Sequence, residues 1–136
     1  MRNYPAKVLL AWSEVMKGNE PIGKWLIENG YSELMSCIDS FRGNTNADKR
    51  LFDGGHPELV ALVNYINGSE QARDWLVAHK FDVLKLLADF CLEEDGADHK
   101  LKDTGANELI ILGHRMKAMV DDIDFDANDV HKSPFR

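Results

Sequence analysis

Cysteine is scarce, with two in 136 residues, Cys37 and Cys91, so no disulfide framework can hold the fold. No metal-ligand spacing surrounds either thiol. No apolar run approaches the length of a membrane span. The N-terminal stretch MRNYPAKVLLAWSEVMKG has a short apolar run broken by charge and no small-residue cleavage site, unlike a secretory signal. Basic residues are few and scattered, and the formal net charge is −7. That balance argues against a nucleic-acid or anionic-membrane partner. Glycine-rich phosphate loops and G-x-S-x-G elbows are missing. No segment alternates with period two over more than a few residues, which removes the signal for strands. These absences leave a cytoplasmic helical domain with no cofactor expected.

What is present is helical periodicity and internal similarity. The stretch GSEQARDWLVAHKFDVLKLLADFC, residues 68–91, is matched fifty positions earlier by GNEPIGKWLIENGYSELMSCIDSF, residues 18–41. Gly18, Trp25, Leu26 and Leu34 recur as Gly68, Trp75, Leu76 and Leu84. The same offset relates Ala47, Leu51, Asp53 and Gly55 to Ala97, Leu101, Asp103 and Gly105, in stretches that look like loops. A fixed period across helices and connectors points to stacked helical units. The expected fold is all-α: tandem three-helix repeats stacked as a short α-solenoid, with a partial third repeat.

Seven helices are expected, at 4–17, 20–29, 32–42, 57–67, 70–79, 82–94 and 106–123. Residues 1–123 form one domain, with units 1–50, 51–100 and a partial unit 101–123. Residues 124–136 read as an acidic, flexible tail. Segments 43–55 and 95–105 are polar and glycine-bearing and read as connecting loops. Val83 to Leu92 is apolar over most of its circumference, so a central helix is expected there.

The chemical constellations are weak. Asp122, Asp124 and Asp126 alternate like a calcium loop, but Ala127 and Ser133 stand where that loop needs glycine and glutamate. No two histidines share a helix face with a carboxylate between them, so no metal site is assigned. Cys37 and Cys91 fall on apolar stripes and read as small core hydrophobes. No catalytic residue is assigned.

The pairing of W-L with a following G/K-[YF]-x-x-L comprises Trp25, Leu26, Gly30, Tyr31 and Leu34, then Trp75, Leu76, Lys80, Phe81 and Leu84. It resembles tandem α-helical repeat proteins, armadillo- or HEAT-like, found among uncharacterised bacterial proteins. The resemblance spans residues 4 to about 123. It implies a helical stack and brings no activity or cofactor with it. Lys80 stands in place of glycine, so the second turn is expected to close differently.

Such stacks present extended surfaces, so the leading expectation is a protein- or peptide-interaction module, with self-association included. The candidate contact residues are Ile110, Ile111 and Met119, which fall between the inward and outward faces of the last helix. An alternative is a small enzyme with a polar pocket between units, drawing on Asp53, His56, Asp103 and His99.

Overall fold

A computed structural model describes the backbone of residues 3–131 and the side chains of residues 3–124. Among the described residues there are nine helices and no strand. They are α1 (Ala6–Met16), α2 (Glu20–Glu28), α3 (Ser32–Phe41), α4 (Thr45–Asp53), α5 (Pro57–Ile66), α6 (Glu70–Ala78), α7 (Asp82–Cys91), α8 (Ala97–Asp103) and α9 (Asn107–His131). The fold is all-α.

Two of these helices lie where loops were expected. α4 and α8 occupy the polar segments 43–55 and 95–105. Each buries only two apolar side chains, Ala47 with Leu51 and Ala97 with Leu101. One i, i+4 pair is enough to dock a short helix against a preformed core, but too little to give a visible stripe in sequence. The last helix also differs. It continues past Ile123 to His131, while residues 132–136 of the expected tail lie outside the described residues.

Turn residues set the true step. Gly18, Gly43, Gly68 and Glu93 follow α1, α3, α5 and α7, and all have positive φ. Gly30, Gly55, Lys80 and Gly105 follow α2, α4, α6 and α8, again with positive φ. Members of each set stand 25 positions apart. The left-handed conformation ends a helix and reverses the chain, and glycine adopts it without a Cβ clash. Lys80 closes its turn in the same way as the glycines, with φ of 62°, so the expected difference there does not arise.

The chain thus advances by a helix pair every 25 residues, and the fifty-residue match spans two such pairs. Alternation explains why the longer offset dominates the sequence. Trp25 and Trp75 are half-buried, and they stack on Tyr31 and Phe81 at ring separations of 6.5 and 5.5 Å. At the corresponding position between them, Arg50 instead pairs with Asp39 at 3.3 Å.

Helices α1, α3, α5, α7 and α9 form an inner set in which each packs on the next. The set closes, because α9 packs extensively on α1. Leu9, Leu59, Leu84 and Leu109, from the early turns of four inner helices, line one cavity, so these helices run parallel. One turn deeper, Trp12, Cys37, Leu62, Leu87 and Leu112 are all buried. Met16, Phe41, Ile66, Cys91 and Met116 form the next buried level. The Trp12 indole N–H donates to the Leu34 carbonyl at 3.1 Å, which satisfies its polar group inside the ring.

Outer helices bridge the inner ones. α2 packs on α1 and α3, α4 on α3 and α5, α6 on α5 and α7, and α8 on α7 and α9. Each inserts one leucine, Leu26, Leu51, Leu76 or Leu101, and every one is essentially inaccessible to solvent. Full burial of a leucine side chain contributes roughly 1.5–3 kcal/mol. The expected central helix is therefore one of five equivalent inner helices, although its Leu84 and Leu87 are indeed buried.

Candidate functional site

Five inner helices make five grooves around the ring, and four carry an outer helix. The fifth, between α9 and α1, has no outer helix among the described residues. The covered grooves show what an outer helix touches. In the groove between α1 and α3, the Gly23 backbone of α2 sits against Met35 and Val15. In the groove between α7 and α9, Leu101 of α8 sits against Gly113, with Phe90 beside it.

By the same 25-residue register, the uncovered seam is bordered by Arg115 in place of Val15 and Phe90, by Leu10 in place of Met35, and by Ser13 in place of Gly113. Ile111 stands where the other inner helices carry Ala11, Ser36, Ala61 and Leu86. Exposure follows this assignment. Leu10 is 38% and Ile111 45% exposed. Their counterparts Met35, Val60, Ala61 and Leu86 are half-buried or buried. Ser13 is buried at the base of the seam and donates its hydroxyl to the Leu10 carbonyl at 2.7 Å. Arg115 is half-buried and has no ion-pair partner among the described residues, whereas Val15, Ser40, Tyr65 and Phe90 at its position are buried.

The expected contact residues on α9 divide. Ile111 lies open on the seam, and Ile110 is half-buried. Met119 is buried, at 4% exposure, and lines a depression with Met16 at the far end of the ring. It belongs to the α1–α9 packing rather than to an uncovered edge. Leu10 and Arg115 were not among the expected residues. Comparing inner helices at a 25-residue step would have exposed Arg115, which is charged where its column holds Val15, Ser40, Tyr65 and Phe90, but not Leu10, which matches Met35, Val60 and Ile110.

The residues named for an enzyme are not gathered. Asp53, His99 and Asp103 are exposed, and α4 and α8 bridge different pairs of inner helices. The half-buried His56 ring lies 3.8 Å from the Glu58 carboxylate. Among the described residues, no three His, Cys, Asp or Glu side chains are arranged to hold a metal ion. Both thiols are buried and hold their protons. Burial, then the charges of Asp48 and Glu58, push the Cys37 thiol far up. Burial and Asp121 push Cys91 up to about 12, partly offset by Lys117. Neither is a nucleophile at neutral pH.

A cavity of about 180 Å³, partly open to solvent, lies on the ring axis at the N-terminal ends of the inner helices. Its wall is mostly leucine with Trp12, and Asn3, Tyr4 and Glu108 supply its polar rim. The Tyr4 hydroxyl donates to the buried Glu33 carboxylate at 2.6 Å. Carboxylates in these first turns complement the partial positive charge of helix N-termini.

No family model, known protein or solved structure gives a significant match to this chain. Among the described residues, no helix is long and apolar enough to cross a membrane.

Proposed function

We propose that the chain is a protein-interaction module built on a helical-repeat scaffold, and that a protein or peptide partner binds along the seam between α9 and α1. The repeat in this reading is the helix pair of 25 residues, closed into a ring, and it replaces the three-helix unit read from sequence. One observation carries the proposal: four of the five neighbouring inner pairs carry an outer helix, and at the fifth, where α9 packs directly on α1, Leu10 and Ile111 are exposed. Exposed aliphatic side chains on two helices packed side by side are the kind of surface that partners use. The setting we propose is cytoplasmic, in keeping with two buried free thiols. The net charge of −7 disfavours nucleic acid as the partner.

Paired affinity capture tests this reading. The unaltered chain and the Leu10→Asp/Ile111→Asp double variant are compared as baits in the native lysate, with Phe52→Asp on the outer surface as control. Partners retained by the unaltered chain and the control but lost by the seam variant support it. An identical set of partners on all three baits contradicts it.

A further inference from the structure

The four covered grooves specify what the fifth one fits. Every outer helix ends its buried face on a leucine, and four positions earlier it carries Ala47, Ala72, Ala97 or, in α2, Ile22. In two of them, α2 and α4, the residue after that position meets the groove wall. In α2 it is Gly23, against Val15. In α4 it is Asp48, which accepts the hydroxyl of Ser40. Ser40 and Val15 stand in the column that ends in Arg115. A helix seated in the fifth groove in the same way would place that residue opposite Arg115, a half-buried cation without an ion-pair partner among the described residues.

The segment that could fill the groove by register does not do so. Residues 119–128 continue α9 as helix, and in the sequence Asp122 and Asp126 stand where an outer helix carries its small residue and its leucine. That stretch is acidic in the sequence where the seam is apolar.

Resting on the interaction reading above, we propose that the seam takes an amphipathic α-helix of another protein chain with the pattern small–acidic–x–x–leucine. The leucine seats over Ser13, as Leu101 does over Gly113, with Leu10 and Ile111 at the rim of the seam; the small residue lets the backbones approach, and the acidic residue pairs with Arg115. This is helix-in-groove recognition with a charge that fixes register. A solvent-shielded Arg–carboxylate pair adds geometric specificity to the apolar contact.

The protein carries its own probes. α4 reads Ala47-Asp48-x-x-Leu51 and fits the pattern, whereas α6 reads Ala72-Arg73-x-x-Leu76 and sets a like charge against Arg115. A helix-stapled, fluorescent peptide of residues 44–55 is titrated into the full chain and followed by anisotropy. The expected result is saturable binding, weakened at least tenfold by Ile111→Asp in the protein, and likewise by Asp48→Arg in the peptide. The Arg115→Asp protein should then prefer the Asp48→Arg peptide. That charge swap keeps the test decisive if Ile111→Asp perturbs folding. Absence of saturable binding, or binding indifferent to both Arg115 and Ile111, overturns the inference. So does a dimer by light scattering that Ile111→Asp dissolves, which would make a second copy the occupant. Peptide failure alongside seam-dependent capture removes the helix pattern alone, whereas seam-independent capture removes the interaction reading itself.

Discussion

Lys80 holds the same left-handed backbone as Gly30, with φ of 62° against 86°, fifty positions apart at the ends of equivalent outer helices. A side chain in this region costs roughly 1–2 kcal/mol, and glycine returns part of that as unfolded-state entropy. Lys80→Gly should therefore raise stability by about 0.5–1 kcal/mol, measured by urea unfolding. The gain from Glu93→Gly should be smaller, because Glu93 also pairs with Lys117 at 3.1 Å.

The inner ring should be intolerant of cavities. Leu84 is 2% and Leu87 1% exposed, and both already border the axial cavity. Truncating either to alanine should cost about 2–5 kcal/mol. Ile111→Ala on the seam should change stability by no more than about 0.5 kcal/mol. Equal losses at all three positions would mean that the seam is packed in solution.

The two thiols give a pH signature. Both folded values lie above the ordinary one of 9.0, so the native state holds these protons more tightly than the unfolded state. Their contribution is fully present below about pH 9 and is lost as pH rises above it. Each thiol should steepen the decline by about 1.4 kcal/mol per pH unit in that range. Tyr65, also raised by burial and by its hydrogen bond to Asp89, acts in the same direction above pH 10. Urea midpoints at pH 7, 9 and 10 should be flat and then fall. A Cys37→Ala/Cys91→Ala variant should show a shallower fall, whatever its stability at pH 7.

Much of this architecture was legible in the residues, and the failures have physical causes. Helix-ending glycines and the buried stripes of α1, α3, α5 and α7 located most of the helices. Trp25 and Trp75 drew attention to every second pair, because Arg50 and Lys100 occupy the positions between and beyond them. That alternation hid the shorter step, and with it α4 and α8. The seam was half visible. Ile110 and Ile111 stood out as apolar residues between the inward and outward faces, but Met119 was assigned to the same edge because one helix's periodicity does not reveal that α1 returns to cover it. Leu10 looked like an ordinary member of the first helix until ring closure placed it beside the seam.

Closure of the ring is the premise for a single uncovered groove, and methyl NMR tests it most directly. With the methionine methyls labelled, nuclear Overhauser contacts should join Met119 to Met16, which border one depression at the far end of the ring. Leu109 and Leu112 should likewise contact Leu9 and Trp12 across the axial cavity. The expected result is both sets of contacts in the monomeric chain. Contacts from α9 to α7 and α8 alone, with none to α1, would mean an open stack and would contradict the closed ring and the seam that depends on it.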